Sequence, residues 1–124
     1  DATYRDLILK SGGLDPMIKL VQNTSNKNAL KNIVWALSNL CRGKPIPKFE
    51  LIKDAIAPLA KVIKEETDPE MLSDASWPIS YLSDNESAIE IIISTGVVPD
   101  LIKHLKNSYI SVVVPCLRTI GNIL

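Results

Sequence analysis

Four side chains suited to recognising a peptide are clustered between positions 32 and 44 of the sequence. At about 100° per residue, Asn32, Trp35, Asn39 and Arg42 fall within about 80° of one another on one side of a helix. An amphipathic helix normally turns charged side chains to solvent, but this one presents an aromatic ring between two carboxamides. Asparagines in such a row can hydrogen-bond both the amide and the carbonyl groups of an extended peptide. The stretch is therefore predicted to form a binding face.

Residues that could do catalytic chemistry are few and lack partners. His104 is the only histidine, and no Ser, Cys or carboxylate is placed by the sequence to activate it. Cys41 and Cys116 lie in apolar helical patterns without ligand spacing, which predicts two reduced, buried thiols in a cytosolic or nuclear protein. No cofactor, metal site or catalytic residue is predicted. A helical hydrolase using His104 or Cys41 is the enzyme alternative, and it has little support.

Length and charge narrow the class of protein further. The chain has 124 residues, 46% of them hydrophobic, which suits one domain with a sizeable core. Fourteen basic residues balance 14 acidic ones, so no general electrostatic attraction to nucleic acid or to an acidic membrane is expected. No apolar run approaches the ~20 residues needed to cross a bilayer. Recognition of any charged ligand must therefore be sought in local groups of residues.

An internal repeat of 42 residues organises the sequence. Short apolar segments centred on Lys19, Lys61 and Lys103 superpose at this spacing. The same step carries Trp35 onto Trp77 and Asn39 onto Tyr81. One further step, shortened by a residue, brings Arg118 and Asn122 to those two positions. The chain is therefore predicted to be all-α and to consist of about three stacked copies, over residues 1–44, 45–85 and 86–124.

Each copy is predicted to contain three helices. Glycine or aspartate ends the first, a proline opens the second, and a polar turn precedes the third. The first helices are expected over residues 4–11, 49–54 and 86–94, and the second helices near 16–22, 58–64 and 99–106. The third helices then carry the tryptophan or arginine position and line one long face of the stack.

The third helices of copies two and three extend the binding face. Asp74, Trp77 and Tyr81 share one side of the second, and Arg118 and Asn122 share one side of the third. Tryptophan rings in a row form slots for the alkyl stems of lysine or arginine, with cation–π attraction adding ~0.5–2 kcal/mol each. Arg118 either lines this face or forms an ion pair with a neighbouring carboxylate. The apolar stripe of the last helix is predicted as follows: Val113, Val114, Leu117, Ile120 and Ile123.

Pro78 makes the geometry of the second copy uncertain from sequence alone. It follows Trp77 directly, and a proline inside a helix costs ~3 kcal/mol and tends to kink it. A kinked or late-starting third helix in this copy would alter the geometry of Trp77 and Tyr81.

Four motifs carry a family resemblance. The sequence resembles importin-α in WALSNLCRGK at 35–44, WPISYLSD at 77–84, GVVP at 96–99 and LRTIGNI at 117–123. The order of these motifs is similar to three consecutive repeats from the middle of that family's array. The resemblance implies a right-handed α-solenoid of armadillo repeats that binds Lys/Arg-rich nuclear localisation signals at a major and a minor site.

The resemblance also assigns residues to those sites. Asn32, Trp35 and Asn39 match the last part of the major site, and Arg42 and Asp74 match flanking positions. Four residues match the bridge toward the minor site: Trp77, Tyr81, Arg118 and Asn122.

Partners and context follow from the same resemblance. It implies an adaptor that shuttles between cytoplasm and nucleus and contacts importin-β and an export factor through regions absent from this chain. The alternative is a catenin-type armadillo scaffold that binds other extended peptides. Neither end resembles a polar capping repeat, so the chain is expected to be a fragment whose exposed apolar ends could drive self-association.

Overall fold

Nine α-helices and two short 3-10 turns make up the chain in a computed structural model that describes all 124 residues. The helices fall into three consecutive triplets, and no strand is present. They span α1 Ala2–Lys10, α2 Leu14–Asn23, α3 Lys27–Leu40, α4 Phe49–Ile52, α5 Ile56–Glu65, α6 Pro69–Leu82, α7 Glu86–Ser94, α8 Val98–Lys103 and α9 Ile110–Ile123. The predicted all-α solenoid is confirmed.

The third helices repeat with the predicted period. Each of α3, α6 and α9 has 14 residues, and they begin at Lys27, Pro69 and Ile110. The first two are capped in the same way, because the side chains of Asn26 and Asp68 accept hydrogen bonds from the backbone three residues on. The turns before α3 and α6 therefore set the starts of these two helices, whereas α9 begins after Tyr109 without a side-chain cap.

Glycine ends the first helix in two of the three triplets. Gly12 and Gly96 follow α1 and α7 with φ of 83° and 76°, a left-handed conformation that glycine adopts without a Cβ penalty. The second triplet differs from the prediction of a break at Asp54. There, a 3-10 turn over Lys53–Ala55 leads directly from α4 into α5.

Pro78 does not delay the start of α6, which was one of the possibilities that the sequence left open. The helix runs continuously from Pro69 to Leu82 with Pro78 inside it. The Pro78 ring is buried, together with Ala75, Ile79 and Leu82 on the side of the helix that faces the core. Burial of the ring offsets part of the cost of the missing backbone donor.

A single apolar core runs through all three triplets. It contains 27 buried hydrophobic residues, drawn from all nine α-helices and the turns between them. The predicted apolar stripe of α9 needs correction, because Val114 and Leu117 are exposed. The buried side of α9 consists of Val112, Pro115, Cys116 and Thr119. No helix combines the length and apolar character required for a membrane span.

Candidate peptide-binding face

The candidate binding face consists of the outward side chains of α3, α6 and α9. On α3, Asn32 is exposed, and Trp35 leaves 57% of its surface accessible. The opposite side of α3 is held in the core by Leu30, Val34, Leu37 and Leu40. A large aromatic side chain so exposed, on a helix whose other side is fully packed, is available to a partner.

Asn39 lies one turn beyond Trp35 and is half-buried. Its Oδ1 atom is buried and has no hydrogen-bond partner within the chain, and it is the only such buried side-chain nitrogen or oxygen in the protein. Buried polar atoms are nearly always paired, and one left alone costs about 1–3 kcal/mol. Because Oδ1 is buried, an N–H group of a bound peptide could reach it only if the carboxamide turned outward.

The α6 part of the face is arranged differently. The rings of Trp77 and Tyr81 stack, with centroids 5.8 Å apart and planes inclined by 29°. The Cζ atom of Arg118 lies 5.9 Å from the centroid of the Tyr81 ring, and Arg118 forms no ion pair. Three predicted site residues therefore contact one another in a row. The guanidinium of Arg118 occupies the kind of position in which a ligand cation would be attracted to an aromatic ring.

The α9 part of the face is tied to α6. The Nδ2 group of Asn122 donates to Ser83 Oγ at 2.9 Å and to the Ser80 carbonyl at 3.3 Å. Asn122 thus has partners within the chain where Asn39 has none. Sequence reasoning did not identify Ser80 and Ser83. Their spacing with Ser76, at four and three residues, could have indicated a row of small side chains facing a neighbouring helix.

Charged groups gather where α3 and α6 meet. Burial raises the pKa of Asp74, and the negative charges of Glu70 and Asp68 raise it further, against the opposing effects of Lys31 and Arg42. Lys31 forms an ion pair with Glu70 at 2.7 Å, and Lys27 with Glu66 at 2.6 Å. Asp74 is therefore a half-buried carboxylate without an ion pair of its own, close to the α3 part of the face.

The predicted site residues that line a cavity fall into two groups, because there are two separate cavities. One of about 460 Å³ beside α1 brings together Trp35, Asn39 and Arg42. The other, about 560 Å³, lies between the end of α3 and the end of α6 and is lined by Arg42, Tyr81, Asp84 and Arg118. Asn32, Asp74, Trp77 and Asn122 line neither cavity. Arg42 is the predicted residue shared by both.

Arg42 is placed by a contact that the sequence did not reveal. The guanidinium of Arg5, buried on α1, donates to the Arg42 carbonyl at 2.9 Å and forms an ion pair with Asp6. Gly43 follows with φ of 103°, and a Cβ at that position would lie 3.2 Å from Arg5 Nη1. The exit from α3 is therefore closely fitted to α1. Because α3 ends at Leu40, Arg42 lies just beyond the helix and not, as the sequence had predicted, on its side with Asn32, Trp35 and Asn39.

The two cysteine thiols and the histidine lie in surroundings that indicate a structural role. Burial raises the pKa of Cys41 to about 12 and also raises the pKa of Cys116, so both thiols stay protonated at neutral pH. The Nε2 atom of His104 lies 3.0 Å from the Ile63 carbonyl. No group of three or more His, Cys, Asp or Glu side chains is arranged to hold a metal ion.

Comparison with known proteins defines the class. The armadillo/beta-catenin-like repeat family matches residues 2–42. A designed armadillo repeat protein, solved in complex with the peptide (KR)4, superposes with a TM-score of 0.83 at 24% identity, over 96% of this chain and 50% of that one. The chain therefore has the fold of an armadillo-repeat solenoid.

Within that class the chain is similar to importin-α, as its motifs indicated. It is 45% identical to importin subunit alpha-1b of Oryza sativa subsp. japonica over 97% of this chain and 22% of that protein. Importin subunit alpha-3 of Arabidopsis thaliana is also 45% identical, over 97% of this chain and 23% of its own length. The chain thus spans about a fifth of the length of these relatives.

Proposed function

We propose that this chain forms part of a nuclear import adaptor and that its binding face holds extended, Lys/Arg-rich nuclear localisation signals of cargo proteins. The proposal rests on the similarity to importin-α subunits and on the side chains of α3. The surrounding protein would shuttle between cytoplasm and nucleus and contact importin-β and an export factor through regions outside these 124 residues.

A single observation carries the proposal: the exposed indole of Trp35 lies one helical turn from the unpaired Oδ1 of Asn39. The carboxamide can accept from a peptide N–H, and the ring can cover the alkyl stem of a lysine or arginine. Asp74 supplies a carboxylate for a cationic side-chain end, and Asn32 extends the row of carboxamides. Together these groups offer both backbone and side-chain recognition.

The second part of the face should contribute less to binding. The Trp77 ring stacks on Tyr81, and Arg118 covers Tyr81 from the other helix, so a peptide lysine would have to displace or pass an internal cation. Asn122 already donates both of its hydrogen bonds to α6. We therefore place the stronger peptide contacts on Trp35 and Asn39, and we assign Tyr81, Arg118 and Asn122 to a weaker, flanking role.

A calorimetric titration with the peptide (KR)4 tests the proposal. Trp35→Ala combined with Asn39→Ala should weaken binding at least tenfold, about 1.4 kcal/mol, because the variant loses both the ring and the carboxamide. The matched control is Trp77→Ala combined with Tyr81→Ala, which removes comparable aromatic surface one repeat further on and should weaken binding less.

Two outcomes would contradict the proposal. Unchanged affinity in the Trp35/Asn39 double variant would show that this face is not where the basic peptide binds. Tighter binding of an acidic peptide than of (KR)4 by the wild-type chain would favour a scaffold of the catenin type.

A further inference from the structure

The cavity of about 560 Å³ between the end of α3 and the end of α6 has an apolar wall. We call it the exit-loop cavity, because the loop that follows α3 forms part of it. Its volume lies within the range of roughly 300–1,000 Å³ that is usual for small-molecule sites. The loop, α4 and the end of α6 supply the apolar wall: Ile46, Pro47, Phe49, Ile52 and Leu82. Such a wall favours the apolar body of a ligand.

Ile46 leaves apolar surface uncovered at this cavity. Its side chain is 69% exposed, whereas Pro47 and Ile52 on the same wall are buried. Covering exposed aliphatic surface stabilises a complex by about 25 cal/mol for each Å² removed from water. A ligand body that reached Ile46 would therefore gain affinity there without any rearrangement of the core.

The polar side of the exit-loop cavity carries an excess of positive charge. Three cations, Arg42, Lys44 and Arg118, line it against a single carboxylate, Asp84. None of these four side chains forms an ion pair within the chain. Each guanidinium can therefore pair with a carboxylate of a ligand through two parallel hydrogen bonds.

We propose that the exit-loop cavity binds a small amphipathic carboxylate, with its apolar body on the wall of Ile46, Phe49 and Ile52 and its carboxylate against Arg42 and Arg118. Lys44 adds to the attraction from the loop. An amphipathic amine would meet like charges in this cavity, and a small ion would leave the apolar wall uncovered. Trp35 and Asn39 do not line the cavity, so the inference is independent of peptide binding.

Isothermal titration calorimetry of the chain with octanoate tests the inference, because octanoate combines one carboxylate with an alkyl body. Octanoate should bind saturably at a single site. 1-Octanol keeps the body without the charge and should bind about tenfold more weakly, since it loses the charge-assisted hydrogen bonds. Acetate keeps the charge without the body, and octylamine reverses the charge. Neither of these two compounds should bind measurably.

Two pairs of matched variants locate the site. Lys44→Gln should weaken octanoate binding about threefold through the loss of a cation, whereas Lys48→Gln in the same loop should leave it unchanged. Lys48 is exposed and does not line the cavity. Ile46→Ser should also weaken binding, by about threefold, because it removes exposed apolar surface. Ile102→Ser is its control, since Ile102 is likewise exposed but lies on α8 outside the cavity.

Four results would overturn the inference. Octanoate could produce no saturable heat, or acetate or octylamine could bind as tightly as octanoate. Lys48→Gln or Ile102→Ser could lose as much affinity as the variant that it controls, which would place the site elsewhere. A short polyglutamate peptide could bind as tightly as octanoate, and charge alone would then account for the binding.

Circular dichroism of each variant establishes that it is folded.

Discussion

The contact between α3 and α6 and the contact between α6 and α9 are built on the same repeat yet differ in kind. α6 packs more extensively on α9 than on α3. Its contact with α9 is close, with Asn122 bonded to Ser80 and Ser83 and with Cys116 against Ser76. The contact between α6 and α3 includes ion pairs near the helix starts. Near the helix ends it opens into the 560 Å³ cavity.

Side-chain size at equivalent positions accounts for part of this difference. Ser76 on α6 and Ser83 just after it contact α9, and the equivalent positions on and just after α3 hold Val34 and Cys41. Small residues allow helix backbones to approach, and their hydroxyl groups give a neighbouring carboxamide a partner. The same repeat spacing therefore gives a closely packed contact between α6 and α9 and a more open contact between α3 and α6. The open contact borders the residues proposed to bind a peptide.

The largest expected loss of stability is at Ser80, and it tests whether the α6–α9 contact is tighter than the α3–α6 contact. Ser80→Leu inserts a large side chain into the close contact with α9, which should lower the free energy of unfolding by about 1–3 kcal/mol through overpacking. Urea denaturation measures the loss. Ser38→Leu is the matched control, because Ser38 is half-buried at the equivalent position of α3 and also bonds the carbonyl of the preceding tryptophan. Equal losses in the two variants would show that the two contacts are equally tight.

A smaller effect is expected from the two equivalent asparagines. Asn122→Ala removes the hydrogen bonds to Ser80 and Ser83 and should lower the free energy of unfolding by about 0.5–1.5 kcal/mol. Asn39→Ala removes a buried oxygen that has no partner, and relief of that unpaired group opposes the packing lost with the side chain, so this variant should lose less stability than Asn122→Ala. Urea denaturation of both variants provides the comparison. A larger loss at Asn39 than at Asn122 would mean that Asn39 has a structural partner.

The smallest expected effect is a pH dependence of stability, and it comes from one carboxylate at the α3–α6 contact. Burial raises the pKa of Asp74 in the folded chain above its ordinary value of 3.8, so the folded state holds this proton more tightly than the unfolded state. The stability contributed by the neutral form is present below pH 3.8 and is lost as pH rises through the folded pKa. Asp74→Asn should therefore be slightly more stable than the wild type at pH 7, and the difference should disappear in acid.

Unfolding curves recorded from acid to neutral pH measure this difference. Asp84→Asn is the control, since Asp84 is exposed at the end of the same helix and its substitution should leave the curve unchanged. A wild type that is more stable than Asp74→Asn at pH 7 would show that Lys31 and Arg42 outweigh burial at this carboxylate.

Much of the fold could be predicted because the repeat supplies the same pattern three times. Apolar spacing, capping residues and prolines predicted three triplets of helices, and α7 has the predicted bounds Glu86–Ser94. The sequence left the effect of Pro78 on α6 open, and the structure shows a continuous helix with the proline ring buried. One inference about a single helix was wrong. Leu117 was expected inside, but α9 is apolar around most of its circumference, so periodicity could not identify which side packs.

The arrangement and contacts of the side chains on the binding face could be predicted only in part. Periodicity placed Trp35, Trp77 and Arg118 at equivalent positions, which the helix starts confirm. It could not reveal that Arg118 covers Tyr81 or that Asn122 bonds two serines, because both depend on the distance between neighbouring helices. The roles of the nine site residues and the repeat bounds 1–44, 45–85 and 86–124 stay predictions.

The uniform spacing of the repeats also bears on how the chain folds. The hydrogen bonds that join neighbouring triplets span similar lengths of chain, from 31 residues for Lys64 and Thr95 to 42 for Asn122 and Ser80. Closing each of these loops costs a nearly equal entropy, because that cost grows only with the logarithm of loop length. Loop-closure entropy therefore does not favour any one triplet as the first to fold. The order in which the triplets fold is set by the strength of the contacts between them. Since α6 and α9 form the closest contact, we expect folding to begin in the last two triplets and to spread toward α1.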